Sequence, residues 1–288
     1  ILDEAQAIKN HTTQKYKAVC QVRSQVRFAL TGTPVENRLG ELWSIFSFLM
    51  PGYLPPYKNF CARFEKPIVQ EEDANAVRRL NQLTGPFILR RMKVDVLREL
   101  PPKTENVHRI ELDTEQRKLY LAAVVDAREK LRAAKPEDKM AVFAVLMRLR
   151  QICCDPRLVA DNWSGGSAKL DACMELVTAA VEGGHRILLF SQFTSMLDLL
   201  AQRLDEAGVS HFTLQGSTPK PVRAERVRRF NAGEASVFLI SLRAGGTGLN
   251  LTAADIVIHY DPWWNVAAQN QATDRAYRIG QKNPVLVY

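Results

Sequence analysis

The sequence predicts an α/β protein of two parallel-sheet lobes. Three observations carry that expectation. In the second half of the chain, short apolar strands alternate with helix-patterned stretches, as in a parallel sheet covered on both faces. Chemistry-bearing residues recur just after apolar strands in both parts of the chain, at Asp3-Glu4, Thr31-Gly32-Thr33, Ser191-Gln192 and 243–248, where open α/β sheets hold ligands. Acidic residues open the chain and paired arginines lie near its end, as if two lobes close on one charged ligand.

The elements follow in order. Residues 1–50 read as the C-terminal part of a first lobe. A short strand at 26–30 runs into the turn Thr31-Gly32-Thr33-Pro34. Residues 39–50 have helical spacing, with Leu39, Leu42, Trp43, Phe46 and Leu49 on one apolar face, and Pro51-Gly52 stops them. Residues 51–103 form a helical insertion and linker, from Pro55-Pro56 through the basic Arg90-Arg91-Met92-Lys93 to Pro101-Pro102. The second lobe is 104–288, with a helical insertion near 114–160. It starts with a strand at 106–112, where Val107 and Ile110 are apolar. Asp113-Thr114 then caps a helix to about residue 134, and a second helix covers 139–152. Helices at 168–182, 194–207, 219–231 and 265–278 alternate with strands at 186–190, 211–214, 236–241, 256–260 and 285–288.

Composition narrows the function. The chain has 288 residues, is 46% hydrophobic and 24% charged, and so is globular in character. It shows neither a signal peptide nor an apolar run that would span a bilayer, which predicts no membrane partner. Five cysteines include no Cys-x-x-Cys pair and read as reduced, mostly buried thiols. The net charge of +8 favours a polyanionic partner. Residues 1–103 hold 16 Lys+Arg against 10 Asp+Glu, a net of +6, while 104–288 hold 23 against 21, a net of +2.

Four groups of residues carry chemistry. Asp3 and Glu4 are adjacent carboxylates that suit a hydrated Mg2+ on a nucleotide and a polarised water. Arg275 and Arg278, three apart, are expected on one helix face with Gln271 a turn earlier, and offer permanent charge to a phosphoryl group. Gly245-Gly246-Thr247-Gly248 lets backbone N–H groups approach a phosphate or a nucleic-acid strand, or serves as a hinge. Trp263 and Trp264 are adjacent and are expected to diverge, one packing inward and the other meeting nucleic acid. Lys220, Arg223, Arg226 and Arg229 read as a solvated helix face. No Gly-x-x-x-x-Gly-Lys-[Ser/Thr] loop occurs, so the chain reads as part of a longer protein and is expected to be inactive alone.

Six ordered segments resemble the Swi/Snf-type ATPases, the double-stranded-DNA translocases of helicase superfamily two. They are Asp3-Glu-Ala-Gln-Ala-Ile-Lys-Asn10, Leu30-Thr-Gly-Thr-Pro-Val-Glu-Asn37, Ile187-Leu-Leu-Phe-Ser-Gln-Phe193, Leu214-Gln-Gly-Ser-Thr218, the stretch from Ser241 to Asn250, and that from Gln271 to Gln281. The resemblance implies two RecA-like lobes, the first truncated at its N-terminal side, with ATP and Mg2+ as ligands. It also implies double-stranded DNA as partner, with DNA-bound protein complexes as possible targets, and a monomeric motor. The location would be the cytoplasm of a prokaryote or the nucleus of a eukaryote. By the same resemblance, Asp3 would hold Mg2+ through water and Glu4 would activate the hydrolytic water. Gln6, Gly246, Gly248 and Gln271 would attend the nucleotide. Thr31, Gly32 and Thr33, with Gln6, would couple nucleotide state to lobe closure. Arg275 and Arg278 would be arginine fingers. Ser191, Gln192, Ser217, Arg243, Gly246 and Trp264 would lie near DNA. Val266 and Tyr277 depart from the usual Pro and His without touching these roles. A strand-separating helicase of the same superfamily and a non-catalytic nucleic-acid-binding module are the alternatives.

Overall fold

Helices with one wide apolar face organise the N-terminal part of the chain. A computed structural model describes residues 1–32, 38–91, 93–97, 99–133, 138–245 and 248–288, without the side chains of Val94, Ala133, Arg243 and Gly245. They form two units, 1–96 and 97–288. In the first, helix α1 (Gln14–Cys20) is capped by the Thr13 hydroxyl, which accepts from the Tyr16 amide. Helix α2 (Leu39–Leu49) buries Leu42, Ile45, Phe46 and Phe48 and is capped by Met50, ahead of Gly52 with its φ of +83°. Helix α3 (Ala74–Thr84) adds Leu80 to a core of Leu42, Phe46, Leu54, Phe60 and Phe64. The strand expected at 26–30 is reduced to one parallel bridge, Leu2 to Ala29. Phe28 and Leu30 bracket it through backbone hydrogen bonds to Leu2, yet their side chains are exposed.

The second unit is a six-stranded parallel sheet among the described residues. Its strands are β1 (Lys103–Glu105), β2 (Ile187–Ser191), β3 (His211–Leu214), β4 (Val237–Ser241), β5 (Ile256–His259) and β6 (Val285–Val287), in the order β1-β6-β5-β2-β4-β3. Period-two alternation splits each central strand between two cores. Ile187, Leu189, Val237, Leu239, Ile256 and Ile258 face one; Leu188, Phe190, Phe238, Ile240 and Val257 face the other. Burying each such side chain contributes roughly 1.5–3 kcal/mol. A helical pair comes first, α4 (Thr114–Ala133) and α5 (Lys139–Cys154). As the sequence predicts, Asp113 caps α4, accepting the Gln116 amide at 2.7 Å. Helices α6 (Ala168–Glu182) and α7 (Thr194–Glu206) cover the first face with Leu170, Val177, Met196 and Leu200. Helix α8 (Lys220–Asn231) and helix α9 (Val266–Thr273) cover the second through Phe230 and Ala272.

Two elements of this second unit also differ from expectation. The strand read at 106–112 is instead Lys103–Glu105, paired in register with Val285, Leu286 and Val287. Pro102 precedes it directly and its carbonyl accepts the Val285 amide, so pairing begins at once, while Val107 is 83% exposed. The helix read to residue 278 stops at Thr273. The Leu251 amide takes the Arg275 carbonyl, which a continuing helix would need for its own ladder. Arg275 and Arg278 therefore sit on consecutive turns and not on one helix face.

Candidate functional site

The acidic end of the first unit is a small polar network. Glu4 adopts a left-handed backbone (φ 51°, ψ 49°), rare for a residue with a β-carbon. Asp3 supports that turn by accepting the Glu4 amide at 2.8 Å. The Gln6 side-chain amide donates to the Glu4 carboxylate, and its oxygen accepts from the Thr31 hydroxyl at 2.8 Å. The chain thus brings Asp3, Glu4, Gln6 and Thr31 together, with both carboxylates exposed. Gly32 follows Thr31 with open space around it, and Thr33 lies outside the described residues. Among the described residues, no three His, Cys, Asp or Glu side chains gather into a metal cage. An exposed carboxylate such as Asp3 fits Mg2+, which keeps most of its waters and uses one or two carboxylates.

The second unit assembles its candidates along the carboxyl edge of the sheet. Ser191 and Ser241 are register partners at the ends of β2 and β4, and both are buried. The Ser191 hydroxyl accepts the Phe193 amide, and the Ser241 hydroxyl accepts the Ala244 amide, so both shape the turns that follow. The Gln192 amide is held at 3.2 and 3.1 Å by the two carboxylate oxygens of Asp261. Burial pushes the Asp261 carboxyl above its ordinary range, against the Ser191 and Gln192 hydrogen bonds. Ser217 is exposed in the turn after β3, on the same edge. Gly248 has a φ of +45°, while Gly246 and the Arg243 side chain lie outside the described residues. Arg278 donates to the Leu249 carbonyl at 3.2 Å, so this arginine grips the loop that the glycines open. Arg275 is buried, and Gln271 lies on α9.

The tryptophans do not diverge. Their rings lie 4.4 Å apart, tilted by 33°, and Arg150 of α5 covers both. Trp264 stays 51% exposed.

Sequence reading missed several supporting residues. Gln281 closes the last quoted segment but received no role, and neither Asp261 nor Arg150 was singled out. Nor was the His259–Thr273 pair, whose Nε2 and Oγ1 lie 2.8 Å apart, joining β5 to the end of α9. Only the polar character of His259, in an otherwise apolar strand, could have signalled it. The cysteines are less buried than expected: Cys154 and Cys173 are buried, with burial pushing both thiols up to about 12, but Cys20, Cys61 and Cys153 are half-buried. No helix among the described residues is long and apolar enough to cross a membrane.

The chain is similar to known proteins along its length. Residues 1–158 match the SNF2-related domain and residues 168–280 the helicase conserved C-terminal domain. A putative ATP-dependent helicase/translocase of Bacillus subtilis is 42% identical over 296 residues, a match covering 100% of this chain and 32% of that protein. The mouse SWI/SNF-related matrix-associated actin-dependent regulator of chromatin subfamily A member 1 is 38% identical over 301 residues, covering 100% of this chain and 29% of that protein. The Sulfolobus solfataricus SWI2/SNF2 ATPase core in complex with dsDNA matches with a TM-score of 0.57 at 35% identity, over 99% of this chain and 61% of that one. The chain thus spans less than a third of the length of these curated relatives, and its parallel sheet matches a RecA-like lobe of the Sulfolobus ATPase core.

Proposed function

Because the chain belongs to the SNF2-related ATPase family, we propose that it is the later part of a motor that hydrolyses ATP to translocate along double-stranded DNA. The observation that carries this reading is the Glu4 carboxylate. It is exposed, set by a strained left-handed turn, and held by Gln6, which is itself held by Thr31. A carboxylate oriented in that way can polarise a water for attack on a phosphoryl group. A change at Thr31 would reach Glu4 through a single amide, which is what coupling of nucleotide state to conformation requires. When bound, Mg2+ neutralises charge on the phosphates, and Asp3 is the residue to hold it through water. Arg275 and Arg278 would supply guanidinium charge to the transferred phosphoryl group on lobe closure. Gln192, Ser217, Arg243 and Trp264 would face DNA from the carboxyl edge of the sheet, while the buried Ser191 would act through the turn that carries Gln192. Contacts of this kind are made mostly to the backbone, so binding would tolerate sequence and weaken with salt.

The test uses the full-length protein. Glu4→Gln should abolish hydrolysis while ATP still binds. Arg275→Ala and Arg278→Ala should each lower DNA-stimulated ATPase on the order of 10³-fold, with DNA affinity nearly unchanged. Unchanged turnover in both arginine variants would remove their assignment. Displacement of a triplex strand without duplex unwinding separates this motor from a strand-separating helicase; the reverse result favours the helicase.

A further inference from the structure

Consecutive side chains in an extended segment point to opposite sides. Trp263 and Trp264 lie in an irregular stretch between β5 and α9, yet their rings converge to 4.4 Å. The group that holds them is on a distant helix. The Arg150 guanidinium carbon lies 5.2 Å from the Trp263 ring centre, 4.7 Å from that of Trp264 and 5.9 Å from that of Phe193. Its Nη2 donates to the Pro262 carbonyl at 2.8 Å and stands 3.8 Å from the Asp261 carboxylate. Asp261 in turn holds the Gln192 amide, so one guanidinium ties α5 to the loops after both β2 and β5. Its Nη1 is buried and makes no hydrogen bond among the described residues.

We propose that Arg150 is a positioning residue: it sets the Trp263–Trp264 pair and thereby fixes the indole face that Trp264 offers to DNA. The orientation claim stands on the geometry alone, while the DNA claim rests on the function proposed above.

Two stacked indoles at a fixed tilt give an exciton couplet in circular dichroism, which the Trp263→Phe difference spectrum isolates in the full-length protein. Arg150→Ala should lose that couplet as completely as Trp263→Phe does. Arg150→Lys keeps the ion pair with Asp261, and so guards against a folding defect. It lacks a flat face spanning both rings and should show a diminished couplet. A couplet of wild-type size in both variants overturns the proposal. For duplex DNA, Trp264→Ala and Arg150→Ala should each weaken affinity by about tenfold, and the double variant should be no weaker than Trp264→Ala. Penalties that multiply would mean that Arg150 does not act through Trp264, and would overturn that part. Should Trp264→Ala leave affinity unchanged while Arg150→Ala still erases the couplet, the DNA reading of Trp264 falls and the positioning role stands.

Discussion

Gln281 does the work of four hydrogen bonds from one buried side chain. Its Nε2 donates to the carbonyls of Ala254 at 2.7 Å and Ala276 at 3.3 Å, and its Oε1 accepts the amides of Lys282 and Asn283 at 2.8 and 2.9 Å. It thereby fastens the turns bearing Arg275 and Arg278 to the start of β5. Gln281→Met keeps the volume but strands these backbone groups, so it should cost about 2–4 kcal/mol in denaturant unfolding. A loss below about 0.5 kcal/mol would mean that water replaces the amide without penalty. At this scale the sequence was legible in part. Residue type and strand-end position marked Asp3 and Glu4, while Gln6 was marked only by the family resemblance. They could not mark what Arg150 does, because its partner Pro262 lies 112 positions away.

Between elements, the His259–Thr273 contact is the joint to test. His259 closes β5, stacks on Phe190 with centroids 5.7 Å apart, and meets the last residue of α9. Burial lowers its pKa from 6.5 to about 4, and the Glu105 carboxylate only partly opposes this. The unfolded chain therefore takes up a proton first. Stability from this residue is complete above pH 6.5 and is lost as pH falls toward 4, by at most about 3 kcal/mol. Unfolding free energies across that window should slope for the wild type and flatten for His259→Gln, which keeps a polar partner for Thr273 but does not titrate. Equal slopes would place the pH dependence elsewhere. Helices α6, α7 and α8 were legible to within a residue, because their apolar positions repeat at helical spacing. The end of α9 was not, since a distant amide, that of Leu251, stops it. β1 escaped for the opposite reason: its Lys, Thr and Glu are exposed and pair only through the backbone, so no apolar pattern announces it.

At the scale of the whole chain, the two units differ in how much of a core each owns. Residues 97–288 contain the two larger apolar clusters and every strand of the sheet, with helices on its two faces. Residues 1–96 own a smaller cluster around Phe46 and Phe60, and they leave Val26, Phe28 and Leu30 more than half exposed beside a lone β-bridge. A unit of that kind buries too little apolar surface to offset the entropy of ordering its backbone. A fragment of 97–288 should therefore unfold in urea as one cooperative transition and keep the far-ultraviolet signature of its helices and sheet. A fragment of 1–96 should lack a cooperative transition and bind hydrophobic dyes. The decisive measurement is the first fragment's urea curve followed by two probes, tyrosine or tryptophan emission and circular dichroism. Noncoincident curves would show that the sheet and its covering helices do not form one cooperative unit, despite sharing strands β2, β4 and β5 between both cores.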